Sequence, residues 1–197
     1  MTAITVHAPV LSDVLVPRLP ATAQRIVREA LLVSGAVALL WAAGNVVIPL
    51  PFTPVPISLA TFSVLLIGAG LGPLRAIIST SAYLALGLVG MPMFAQGASG
   101  WAFASFGYIL GYVAAAGLMG SLARRRADRK VVHTAGAAIA STAFVYILGV
   151  PWLAGFLGIG LAEALAIGVV PFLLGDAIKA VAAAALLPAT WRLIDRT

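Results

Sequence analysis

Asp176 and Lys179 have the most chemistry to offer in this chain. They stand three residues apart in a stretch, 166–187, that holds no other charge. On a helix that spacing puts both side chains on one face. A carboxylate accepts N–H bonds, and an ammonium donates to a carbonyl or a carboxylate. Ionisable groups within an apolar span cost roughly 2.5–3.5 kcal/mol each on insertion scales and generally face a cavity or a partner. Gly175, just before Asp176, lets a ligand or a neighbouring helix come close. The pair reads as a polar ligand site. Two other roles stay open: a buried ion pair that staples its helix to the neighbours, and a proton site.

Other residues suit the same cavity or a protein partner. Asn45 lies near the outer end of an apolar stretch, where it can serve the cavity of Asp176. The run Pro49-Leu-Pro51-Phe-Thr-Pro54-Val-Pro56 forbids a regular helix and reads either as a wall over a pocket or as a tight reversal, with Thr53 and Ser58 offering hydroxyls. Residues 91–100 carry Gln96 with Gly97 and Gly100, which permit close backbone approach; an ordinary exposed loop is the other reading. Small residues recur every four positions at Ala30, Ser34, Ala38 and Ala42, and again at Gly107, Gly111 and Ala115. Such ridges let helices pack closely in lipid, either within the chain or against another membrane protein. Tyr83, Tyr108, Tyr112 and Trp101 suit interfacial anchoring, and one or two suit stacking on a bound heterocycle.

Several chemistries are excluded. There is no cysteine, and the two histidines, His7 and His133, fall in or beside polar ends. Neither a metal site nor a Ser-His-Asp triad is expected, and no catalytic residue is assigned. No Gly-x-x-x-x-Gly-Lys-Ser/Thr loop occurs. If this chain moves a solute energetically, a partner or a gradient supplies the energy.

The elements that position these residues must lie in a membrane. Of 197 residues, 62% are hydrophobic and only 9% charged, where a soluble domain has about 45–50% and about 25%. The mean hydropathy is +1.09. Eighteen charged side chains, 12 basic and 6 acidic, cannot coat the surface that a chain this size exposes. The composition excludes a soluble enzyme, a disordered chain and a nucleic-acid-binding domain, despite a pI near 10.5.

Two charge-free runs, 30–74 and 76–123, are each long enough for two spans of about 20 residues and a turn. Proline and glycine place the breaks. The expected spans are 30–48, 57–71 (short, hence shielded by neighbours), 76–90, 101–122, 131–153 and 166–187, the last stopped by Pro188. A polar tail, partly unstructured, is expected over 1–29, a six-helix domain over 30–190 and a second tail over 191–197. With the N-terminus cytoplasmic, eleven of the twelve basic residues fall on one side, as the positive-inside rule requires. The twelfth is Lys179. Fold class is thus an all-α bundle of six transmembrane helices in the cell membrane, both termini cytoplasmic.

Several motifs, in order, resemble a known family. They are Pro54-Val-Pro56-Ile-Ser-Leu-Ala-Thr-Phe-Ser with Gly70-Leu-Gly72-Pro73, then Tyr83-Leu-Ala-Leu-Gly87-Leu-Val-Gly90-Met-Pro92-Met-Phe94, then Gly107-Tyr108-Ile-Leu-Gly111-Tyr112, and finally Pro171-Phe172-Leu-Leu-Gly175-Asp176-Ala-Ile-Lys179. This set is similar to the biotin-specific capture subunits of energy-coupling-factor transporters, the BioY family. Ala60 stands where that family usually has glutamine, Ala76 replaces a usual glycine, and Ser105-Phe106-Gly107-Tyr108 replaces a Thr-Gly-Gly-Tyr. The resemblance implies biotin capture from outside, with no cofactor, and pairing with a transmembrane coupling subunit and two cytoplasmic ATPases. It implies that Asp176 accepts from the ureido N–H groups and that Lys179 donates to the ureido oxygen or the carboxylate. Asn45, Tyr83 and the loop with Gln96, Gly97 and Gly100 would complete the cavity, and the ridge Ala30, Ser34, Ala38, Ala42 would dock on the coupling subunit. A capture subunit for another vitamin, a proton-coupled carrier using Asp176 and a membrane scaffold are the alternatives.

Overall fold

The computed structural model describes residues 8–16 and 22–196. The helices are α1 (Leu11–Leu15), α2 (Thr22–Asn45), α3 (Ala60–Leu71), α4 (Pro73–Leu88), α5 (Phe106–Ala123), α6 (Val131–Leu157), α7 (Leu161–Gly168) and α8 (Leu173–Ile194). Between α2 and α3 lies a hairpin of β1 (Val47–Leu50) and β2 (Thr53–Ser58). Six helical segments build the bundle, counting α7–α8 as one. Four are long and apolar enough to cross a membrane, and α3 and α4 are shorter apolar helices. At ~1.5 Å per residue the twelve residues of α3 reach only about 18 Å, so α3 sits inside, against α2, α5 and α8. The outer faces stay apolar: Leu31, Ile139, Leu174 and Ile178 are all exposed, as a lipid-facing surface demands.

The proline-rich run is a reversal and a wall at once. The hairpin is antiparallel, with Val47 opposite Ser58 and Ile48 opposite Ile57. A two-stranded ribbon consists of two edges, so Pro49, Pro54 and Pro56 need not break a ladder.

Several boundaries differ from the sequence reading, each for a physical reason. Of the tail expected over 1–29, residues 1–7 and 17–21, including His7 and Arg18, lie outside the described residues. The rest is folded: Leu11–Leu15 is helical, and α2 already starts at Thr22. Likewise α8 runs on to Ile194, through most of the second expected tail. Pro188 lies buried inside α8 and does not stop it. Pro151 likewise leaves α6 unbroken, since packing inside a helical bundle tolerates the one backbone bond that proline removes. The break falls earlier, at Pro171, which opens a short turn before α8. Asp176 therefore occupies the first turn of α8, where the helix dipole favours a negative charge.

The glycine ridge of α5 is internal. A Cβ on Gly111 would stand 2.6 Å from Val145 Cα and 3.0 Å from the Phe144 carbonyl. A Cβ on Gly107 would run into Trp152, and Ala115 is buried. The small residues let α5 and α6 touch at backbone distance. Gly111→Val is expected to force them apart at a cost of at least about 1–3 kcal/mol, visible as a lower thermal midpoint in detergent.

The basic end of the bundle is held by ion pairs around α1. Arg75 Nη1 donates to Asp13 Oδ1 at 3.0 Å and Arg75 Nη2 to Glu29 Oε1 at 2.8 Å. Arg124 Nη1 pairs with Asp13 Oδ2 at 2.7 Å. The buried Arg28 donates to the Ser12 and Val16 carbonyls at 2.8 and 3.0 Å. Burial pushes the Asp13 carboxyl up, but bonds from Arg75 and the Val10 N–H and the charges of Arg124 and Arg75 outweigh it and hold the pKa below the ordinary 3.8. Its stabilisation is complete above pH 3.8 and is lost as pH falls through that lower value.

Asp128, in the loop between α5 and α6, behaves oppositely. Trp191 Nε1 donates to its Oδ2 at 2.5 Å, while Oδ1 has no partner among the described residues. Burial raises its pKa above 3.8, against the lowering effects of the Trp191 bond, a backbone bond and Arg129. A raised carboxyl favours folding at low pH and loses that contribution as pH rises through the folded value. Asp128→Asn keeps an acceptor for Trp191 and removes the charge. It is expected to raise the thermal midpoint at neutral pH by about 1 kcal/mol equivalent and to flatten the decline above pH 3.8.

Candidate functional site

One cavity at the end of the bundle away from the arginines gathers all four tyrosines of the chain, Tyr83, Tyr108, Tyr112 and Tyr146, with Asp176 and Lys179. Four helices supply them. Tyr83 projects from α4, Tyr108 and Tyr112 from successive turns of α5, Tyr146 from α6 and the charged pair from α8. Val55, Pro56 and Ser58 of β2 line one side, with Ala60 and Thr61 at the start of α3. Ala95 and Ser105 of the α4–α5 connection line another part, and Phe172 stands beside Asp176.

The polar groups close on one another. Lys179 Nζ lies 3.0 Å from Asp176 Oδ1 and donates to Thr61 Oγ1 at 2.7 Å. The Tyr146 hydroxyl donates to Asp176 Oδ2. Both charged side chains are largely buried, 14% and 11% exposed, so their mutual neutralisation matters: an unpaired charge here would cost several kcal/mol. Two other tyrosines are fixed by backbone carbonyls. Tyr83 donates to Met93 at 2.9 Å and Tyr108 to Gly168 at 2.9 Å. The Tyr108 and Tyr146 rings meet edge to face at 6.3 Å.

The cavity measures about 60 Å³, below the ~300 Å³ at which drug-sized ligands are typically held. A bicyclic ligand would have to displace hydroxyls from the Asp176–Lys179 network and push back the roof.

Of the residues expected at the site, Asp176, Lys179 and Tyr83 line it. Four do not. Asn45 turns its amide back to the Trp41 carbonyl at 2.8 Å, a local helix bond, and Gly44 takes the place beside the cavity. A Cβ on Gly44 would meet the Tyr83 hydroxyl at 3.2 Å. Gln96, Gly97 and Gly100 shape the roof loop instead. Gln96 has φ 60° and Gly97 and Gly100 have φ 75° and 73°, so all three serve a tight left-handed path, and Gly100 N–H bonds the Gly87 carbonyl at 2.8 Å. Their neighbour Phe94 anchors that loop: it is fully buried and packs its ring against Gly87 and, edge to face, against Tyr83 at 5.4 Å.

Sequence reasoning missed Thr61 and Tyr146. A signal was present for Tyr146. It is a lone hydroxyl amid Phe144-Val-Tyr-Ile-Leu, deep in a charge-free span, and a polar group at that depth has to find a partner. Ala60, where the resemblance implied a glutamine, does line the cavity, so the departure lies in the wall itself. The ridge Ala30, Ser34, Ala38, Ala42 is exposed along its whole length. The buried stripe of α2 is the neighbouring one, Ala36, Leu40 and Gly44.

Comparison with known proteins returns one consistent result. The model of the BioY family matches residues 13–196. A biotin transporter of Rhizobium etli is 34% identical over 149 residues, 71% of this chain and 79% of that protein. A biotin transporter of Thermotoga maritima is 32% identical over 140 residues, 70% and 81% of the two chains. A solved structure, the S-component for biotin from an ECF-type ABC transporter, superposes with a TM-score of 0.77 at 26% identity, covering 88% of this chain and 95% of that one.

Proposed function

The chain belongs to the BioY family, and from that membership we propose that it is a membrane subunit that captures biotin and mediates its uptake. Biotin carries an apolar bicycle and chain, a ureido group with two N–H donors and one carbonyl acceptor, and a carboxylate. A site for it needs a mostly apolar cavity with a few placed polar groups. The observation that carries the reading is the neutral pair Asp176–Lys179, an acceptor beside a donor in a cavity walled by five aromatic rings. In this reading Asp176 accepts the ureido N–H bonds and Lys179 donates to the ligand's oxygen. The hydroxyls of Tyr146 and Thr61 hold the pair ready and yield to the ligand.

Uptake in this proposal is energised by partners, a transmembrane coupling subunit and two cytoplasmic ATPases, with which the exposed ridge Ala30, Ser34, Ala38, Ala42 makes contact. The test of capture is calorimetric titration of biotin into the detergent-purified chain alone. Tight binding without any energy source is the expected result. A folded chain that takes up no biotin would sink the reading and bring other vitamins forward.

A further inference from the structure

Resting on that biotin reading, we propose that the site reads the ureido end of its ligand and not the carboxylate, so that biotin amides and esters are captured about as well as the free acid. Three observations carry this. First, Lys179 and Asp176 act at one point in space. Nζ stands 3.0 Å from Oδ1 and is tied to α3 by a 2.7 Å bond to Thr61. An acceptor next to a donor matches a cyclic urea, whose N–H lies beside its carbonyl. A ligand carboxylate at the same place would meet the Asp176 carboxylate at hydrogen-bond distance, and like charges at that range repel.

Second, the carboxylate must then lie elsewhere in the cavity, and no second cation awaits it. Among the described residues Lys179 is the one basic residue that lines the cavity; apart from Asp176, the other polar side chains there are the hydroxyls of serine, threonine and tyrosine. Two of these hydroxyls, on Tyr83 and Tyr108, already donate to backbone carbonyls.

Third, the roof has no cation to lend. Residues 46–59, 89–105 and 158–172, which connect the helices at this end, contain no lysine, arginine or histidine. Their single charged residue is Glu163, exposed and negative. A carboxylate there is met by neutral hydroxyls, backbone N–H groups or water. Bonds to a charged partner are roughly twice as strong as neutral ones, and this end of the site lacks the cation that would supply the difference. A carboxamide or ester keeps a carbonyl acceptor for the same neutral donors.

The test is calorimetric titration of the full chain in detergent with biotin, biotinamide, biotin methyl ester and 2-iminobiotin, in which an imino group replaces the ureido oxygen. Biotinamide and the ester are expected to bind within about tenfold of biotin, and protonated 2-iminobiotin more than about a hundredfold more weakly. Tight biotin binding with amide and ester more than about tenfold weaker overturns this inference and leaves the biotin reading standing. Equal binding of 2-iminobiotin overturns it as well, because the ureido oxygen would then go unread. If a folded chain binds none of the four, the biotin reading itself falls and takes this inference with it.

Discussion

Asp176→Ala is expected to weaken biotin binding by about 2–4 kcal/mol, roughly thirtyfold to a thousandfold in Kd. Two losses add. The ligand's N–H groups lose a charged acceptor, and Lys179 is left buried at 11% exposure with only the Thr61 hydroxyl. The second loss also lowers stability, because breaking one half of a buried pair leaves the other charge uncompensated. The variant alone therefore does not separate a ligand role from a stapling role. The double variant Asp176→Asn/Lys179→Met does, since it removes both charges at nearly constant volume. If the pair only staples α8 to α3, the biotin affinity of the folded double variant should stay near wild type whatever its midpoint. If the pair reads the ligand, the midpoint recovers and binding does not. The proton-carrier alternative separates by another readout: uptake by such a carrier would lose its pH dependence in Asp176→Asn, whereas capture needs no proton movement.

The same pair shows how far sequence reaches. Charge-free runs, proline breaks and the one-sided distribution of arginine fix six segments and which ends share a face, because lipid leaves few alternatives to closed helices. The reversal at Pro49–Pro56 was legible as a non-helical wall, and Val55, Pro56 and Ser58 do line the cavity. Helix ends were less legible. Pro188 looks like a stop but sits inside α8, as Pro151 sits inside α6, since whether proline ends a helix depends on what packs beside it. The buried Arg28 and the α1 latch at Asp13 were hidden for a related reason. A charged segment looks like a solvated tail until Arg75 of α4 and Arg124, just past the end of α5, come within 3.0 and 2.7 Å. In the site, ionisable residues announced themselves by their cost in an apolar span. Neutral hydroxyls at Thr61 and Tyr146 carried a weaker signal. Asn45 and Gln96 were polar at the right depth, yet both satisfied local backbone geometry. Polarity alone does not tell a residue that serves its own helix or turn from one that faces a ligand.

The exposed ridge of α2 gives the second large effect. Ala38→Trp, or Ser34→Trp, is expected to leave biotin binding and the thermal midpoint unchanged while cutting uptake in cells by an order of magnitude or more. Both positions are exposed, so a larger side chain displaces nothing within the chain. Helix association in lipid depends on close van der Waals contact between small residues rather than on burial from water. An indole on that ridge would hold a partner helix off by several ångströms, as overpacking does in any tight interface. Direction along the helix supplies an internal control. Ala36 and Leu40 lie on the buried stripe of α2, so tryptophan at Ala36 should lower the midpoint and binding together. Ile178 on α8 is 62% exposed on a lipid-facing surface but lies away from the ridge, and Ile178→Trp should leave uptake intact. If Ala38→Trp transports normally, the ridge is ordinary lipid-facing surface and the proposed partner contact does not lie there. If it loses binding as well as uptake, the ridge contributes to the fold of the capture domain and not to its partnership.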